Sequence, residues 1–332
     1  SPAEKEQVKQ QQELAEAEKK RQVDVKDLHS RALELLCAGD PEAASELYSQ
    51  ALEKEREEDG RPECKALVSL RRACESWREG KTKLSEWDGA SAKDAFESSQ
   101  AAAESARRTD VTTGYLGPKI ELDTAAADAL QQALSDAKDE IERGRSFAEH
   151  MRDGERHLGE KAAVDAKRSL DHAQSKAQND HEQKQAEEWL AKATAELSRQ
   201  SSVKGLHQEA IEALSVYTAE SIPAAIQKYE SALGIELSDS PERTALGLML
   251  EGCNDWQRGN DALDAWDGQL AKEQYDRCEE LFRQAADVIP TPGYVGTPIQ
   301  LGHDLAKDAL NMCLQEANEE IERKSRYGML QS

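Results

Sequence analysis

The chain has 332 residues, of which 38% are hydrophobic, 33% charged and only 5% aromatic, and its formal net charge is −23. That is too little apolar material for one large globular core, and it suits thin helical layers that each bury a single stripe. The charge counts against a nucleic-acid surface and against docking on anionic membranes; it either keeps a long helical surface soluble or favours basic protein faces or basic peptides as partners.

Residues 4–26 are almost wholly Glu, Lys, Gln and Ala. The composition predicts a helix, and the thin apolar stripe predicts an exposed one, the tail of a longer helix. From Asp27 the pattern sharpens. Leu28, Ala32, Leu35 and Leu36 share one helical face, Gly39-Asp40-Pro41 breaks the helix, and a second helix follows with Ala44, Leu47, Tyr48, Ala51 and Leu52 inward.

The stretch Gly39 to Ala44, with Tyr48 and Ala51-Leu52, resembles the turn and second helix of the tetratricopeptide repeat. Residues 28–58 are also similar to the three-helix microtubule-interacting-and-trafficking domain, and 206–235 resemble the same hairpin. The physical content is packing: a small Ala lets two helices approach, and an aromatic one turn later fills the groove between them. The same Ala-x-x-x-aromatic pair recurs as Ala92 and Phe96, Ala225 and Tyr229, and Ala271 and Tyr275, with Ala166 and Leu170 as a fifth, aliphatic case. The spacing departs from the family, since Ala44 to Ala92 is 48 residues and Ala225 to Ala271 is 46, against about 34 for a standard repeat. Long helices over 62–86 and 241–265 account for the excess.

The chain also contains much of itself twice. Cys74, Trp77, Gly80 and Trp87-Asp88-Gly89 return 179 residues later as Cys253, Trp256, Gly259 and Trp266-Asp267-Gly268. Gly114-Tyr115-Leu116-Gly117 returns as Gly293-Tyr294-Val295-Gly296, and Glu140-Ile141-Glu142-Arg143 as Glu320-Ile321-Glu322-Arg323. Such duplication predicts an all-α, elongated array of antiparallel hairpins in which each unit buries its face on the next. The organisation read from it is an exposed helix over 1–26, a module over 27–145, connecting helices and a linker over 146–205, and a second module over 206–332. In the connecting segment, helices are expected over 122–158 with a break near Gly154 and Gly159, then over 160–177 and 180–200. Ser201 to Gly205 is the linker candidate.

The duplicated Gly-Tyr-x-Gly loop offers Tyr115 and Tyr294 as partner-binding residues, or as plugs for the ends of their own hairpins. Lys93 and Lys272 are matched and could hold a peptide carboxylate, or lie solvated on their helices. The tetratricopeptide family can hold carboxy-terminal peptides through Lys and Asn on inner helices, but too few matching positions occur here to carry that mode over. Asp88 and Asp267 are expected to cap the helices that follow them, and Trp77, Trp87, Trp256 and Trp266 to sit in the core.

The six cysteines form no CxxC pair and fall mostly at apolar helix positions, which suits a reducing, cytoplasmic setting. No catalytic, cofactor-binding or metal-ligating pattern stands out: Gly80-Lys81-Thr82 lacks the upstream Gly of a phosphate loop, and the seven histidines show no HExxH spacing. No run is long enough to insert in a membrane. The expectation is a non-enzymatic adaptor or scaffold that binds partner segments in a groove between hairpins. Two alternatives stand beside it: a spacer or self-associating subunit of a larger assembly, and, far behind, a helical enzyme or cofactor-binding protein.

Overall fold

A computed structural model describes residues 2–55, 60–110, 120–216, 218, 220–291, 294 and 304–331, with backbone alone at 2–3, 304–306 and 328–331. Among these residues there are eleven α-helices and no strand. They are α1 (Pro2–Cys37), α2 (Pro41–Glu55), α3 (Pro62–Ser85), α4 (Gly89–Arg107), α5 (Thr124–Gly159), α6 (Ala163–Lys176), α7 (Asp180–Val216), α8 (Ser221–Ile235), α9 (Pro241–Asp264), α10 (Gly268–Asp287) and α11 (Asp304–Gln331). The chain divides into two compact units, Ser1–Ser146 and Phe147–Ser332. In the first, α1 to α4 pack successively in neighbouring pairs; in the second, α6 to α11 do the same. The fold is therefore an all-α array of helical hairpins.

Four of the hairpin turns share one construction. At Gly39, Trp87, Lys161 and Trp266 the backbone turns left-handed, with φ of 77°, 62°, 60° and 61°. The next amide then reaches back five residues: Asp40 to the Leu35 carbonyl at 2.9 Å, Asp88 to Lys83 at 3.0 Å, Ala162 to His157 at 2.8 Å and Asp267 to Ala262 at 2.8 Å. This closes the orphan carbonyls of the finished helix. The following helix starts at once, because Asp88 accepts from the Ser91 N–H at 3.0 Å and Asp267 from the Leu270 N–H at 3.2 Å. Both aspartates thus cap as expected.

Packing between the paired helices rests on a small residue facing a large one. Ala44, Ala92, Ala166, Ala225 and Ala271 are all fully buried, as are Tyr48, Phe96, Leu170, Tyr229 and Tyr275 one turn on. Opposite three of the large side chains lies a glycine 16 residues earlier. A methyl group at Gly80 would meet the Phe96 ring at 2.5 Å, one at Gly154 would meet Leu170 at 2.5 Å, and one at Gly259 would collide with the Tyr275 ring. The same offset places Ala32 before Tyr48 and Ala213 before Tyr229. The interhelical groove is therefore filled by one bulky side chain pressed onto nearly bare backbone.

Three expectations need correcting. Ser201 to Gly205 is not a linker: it lies inside α7, with Val203 buried in the core of the second unit. Continued inward contacts hold it helical despite its polar composition. No break occurs at Gly154, where the missing side chain admits Leu170, and α5 runs on to Gly159. The four tryptophans split: Trp77 and Trp256 are core, whereas Trp87 and Trp266 are 42% and 59% exposed. The left-handed turn carries these last two off the apolar face of the preceding helix. The N-terminal helix is exposed as expected over residues 4–17, but Val25 is already buried.

Candidate functional site

Each unit holds the same polar clamp, anchored on one buried carboxylate. In the first unit the guanidinium of Arg21 donates to Glu18 on its own helix, through Nε at 2.9 Å, and to the buried side chain of Glu55 at the end of α2. In the second, Arg199 donates to Glu196 at 2.9 and 2.6 Å and to the buried Glu236 at 2.5 Å. Gln22 and Gln200 add a bond each to Glu18 and Glu196, at 2.8 and 2.9 Å. The Arg21 hydrogen bond holds the Glu18 carboxyl down at about 2. Burial pulls Glu236 upward, but hydrogen bonds from the Tyr294 hydroxyl and the Leu237 N–H, aided by the Arg199 charge, outweigh it and keep the carboxyl below its ordinary value. A buried carboxylate needs such partners.

The matched histidines behave differently. His29 Nδ1 and the Tyr48 hydroxyl lie 3.2 Å apart, with ring centroids at 5.8 Å. His207 and Tyr229 keep the 5.8 Å ring spacing, yet Nδ1 of His207 and the Tyr229 hydroxyl are buried without a hydrogen-bond partner among the described residues. Desolvation drops the His207 pKa to about 4.

Of the residues singled out from the sequence, Tyr294 is half-buried. Its hydroxyl donates to Glu236, and Arg199 stands 5.9 Å from its ring centroid. Thr291 donates to the buried Glu242 through its N–H at 2.6 Å and its hydroxyl at 3.0 Å. Two buried carboxylates thus hold this end of the Gly- and Pro-rich segment onto α8 and α9. Tyr115 and its loop lie outside the described residues. Lys93 pairs with Glu97 at 3.0 Å and Lys272 with Asp276 at 2.6 Å, both within one helix. These are ordinary surface pairs of a solvated helix face.

The structure does bring together two motifs that the sequence left separate. The Glu-Ile-Glu-Arg repeat folds onto the Trp-Asp-Gly turn of the same unit. Glu140 and Glu320 are buried against Gly89 and Gly268, where any side chain would meet the neighbouring helix backbone. Each glutamate grips an arginine one turn on, Glu140 holding Arg143 at 2.8 and 2.6 Å and Glu320 holding Arg323. The guanidinium then lies over the exposed indole, 5.9 Å from the Trp87 centroid and 4.3 Å from that of Trp266. The clamp at Arg21 and Arg199 was also missed. Its signal was present: Glu18-x-x-Arg21-Gln22 returns 178 residues later as Glu196-x-x-Arg199-Gln200, hidden in Glu-, Lys- and Gln-rich helix.

Five of the six cysteines are buried and only Cys37 is exposed. Burial pushes Cys74 up to about 12 and Cys253 and Cys278 higher, so these thiols pack as small apolar groups. Among the described residues no helix is long and apolar enough to cross a membrane, and no group of three or more His, Cys, Asp or Glu is placed to hold a metal ion. No family model, no curated protein and no solved structure matches this chain.

Proposed function

We propose that this chain is a non-enzymatic adaptor with tetratricopeptide-like packing, which binds segments of partner proteins between and along its hairpins. The observation that carries this reading is the small-to-large lock of Ala44/Tyr48, Ala92/Phe96, Ala166/Leu170, Ala225/Tyr229 and Ala271/Tyr275, buried in five hairpins. Such an array spends its interior on holding helices side by side and leaves long helical faces for contact. The buried polar groups fit the same account. Glu55, Glu236 and Glu242 serve to join one helix or loop to the next.

The test is capture with the whole chain from an extract of its source, followed by titration of the purified candidate by calorimetry. The reading expects a saturable protein partner that leaves unchanged. Isolation of nothing but further copies of the chain, with a mass that falls on dilution, would replace the adaptor by a structural subunit. Chemical turnover of a captured ligand would replace it by an enzyme.

A further inference from the structure

Trp87 and Trp266 are not needed where they stand. The left-handed position they occupy is filled by Gly39 in the first hairpin and Lys161 in the third, so the turn forms without an indole. A bulky side chain at positive φ is disfavoured there, and glycine is not. Both rings are nevertheless present and exposed in both units. Each is backed by an arginine whose charge is already neutralised by a buried glutamate. The surroundings are acidic on balance: Glu86, which shares its charge with Lys83 at 2.9 Å, and Asp88 flank Trp87, Asp264 and Asp267 lie within two residues of Trp266, and the chain carries −23 overall.

Resting on the adaptor reading, we propose that Trp87 and Trp266 are duplicated contact points for an arginine- or lysine-rich segment of a partner protein. A partner cation would stack on the open part of each indole, with its charge toward Glu86 or Asp264, while Arg143 or Arg323 supports the ring from behind. An aromatic face beside carboxylates suits a cationic side chain whose methylene stem needs apolar cover. The second site is the stronger of the two. Trp266 is the more exposed ring, and Leu270, itself exposed, stands one turn on where the first unit has Ser91. Each unit carries one such site.

The experiment titrates the whole chain into a labelled alternating Arg-Gly peptide, followed by anisotropy at physiological salt. It compares the native chain with the double variant Trp87→Gly/Trp266→Gly, and a Trp87→Phe/Trp266→Phe variant keeps a weaker ring. All carboxylates remain, so unspecific attraction to an acidic chain is common to all three. The expected result is binding by the native chain, a loss of about tenfold or more in the Gly variant and an intermediate loss in the Phe variant. Thermal unfolding of the Gly variant should be unchanged or slightly raised. Equal affinity in all three, no peptide binding by the native chain, or a melting temperature well below native in the Gly variant would each overturn the proposal. A partner isolated from extract that binds native and Gly variants alike would sink this site and leave the adaptor reading intact.

Discussion

The two units keep the same locks and differ in how they fill the space around them. The Glu-Arg-Glu clamp, the His–Tyr contact and the glycine under the α3–α4 or α9–α10 ring are present in each. Two turns from the ring-on-glycine lock the units part. The second packs Phe282 onto Gly252, where a methyl group would touch the ring at 2.6 Å. The first has Ala103 and Ala73 at the matching positions and, beside Ala103, a groove of about 500 Å³ edged by Glu104, Leu122 and Leu130. Cys278 likewise replaces Ser99, whose hydroxyl donates to the Ala73 carbonyl at 2.8 Å. Packing residues that face one another changed together, whereas the charged clamp was not exchanged at all. A core tolerates a shape swap if its partner changes too, but a buried carboxylate that loses its cation has no cheap substitute.

The largest effect should come from the part the units share. Arg199→Met strands Glu236 in the interior and should cost about 3–5 kcal/mol in urea unfolding, and Arg21→Met should act alike through Glu55. Lys93→Ala and Lys272→Ala, which remove exposed pairs, should leave the midpoint where it was. A clamp variant as stable as the native chain would mean that the buried carboxylates are not tied to these arginines.

A second prediction converts one unit toward the other. Ala103→Phe drives a ring against the Ala73 methyl and should cost about 1–3 kcal/mol by overpacking. Ala73→Gly added to it should recover most of that loss, so the pair couples strongly in a double-mutant cycle. Simple additivity would show that the Phe282–Gly252 arrangement is not transferable and that the two cores differ more deeply.

The smallest effect is a pH dependence that should separate the histidines. His207 is held neutral, at about 4 when folded, against an ordinary value near 6.5. A lowered histidine favours folding fully above its unfolded value, and that contribution is lost as pH falls from about 6.5 toward 4. His207→Gln should therefore flatten the stability profile in that window. Glu18 acts lower down: its carboxyl is depressed to about 2, so its share is present above the unfolded carboxylate range and lost as pH falls below it.

Much of the fold was legible because periodicity and turn residues agree over long stretches. The helices over 62–85 and 241–264, the caps at Asp88 and Asp267, and the buried Ala-x-x-x-large pairs follow directly from the spacing of small and bulky residues. The linker at Ser201 to Gly205 was misread because serine and glycine punctuate a sequence only where tertiary contacts fail to hold the helix. Here Val203 and Leu206 supply those contacts. The site was less visible. Trp87 and Trp266 looked like core because tryptophan usually is, and only the positive φ, set by a turn of three residues, turns them outward. The arginine that backs each ring lies 56 or 57 residues away in sequence, on another helix, a pairing that spacing alone does not reveal.

Each clamp is set in an unbroken helix, at Glu18 in α1 and at Glu196 in α7. Native-state hydrogen exchange over 196–210 reads this in α7, because amide protection follows helical hydrogen bonding and packing. Slow exchange is expected through Ser201 to Gly205, continuous with the flanks of α7, and its loss together with that of α8 in Arg199→Met. Rapid exchange confined to Ser201 to Gly205 in the native chain would contradict it and restore a linker between two separate modules.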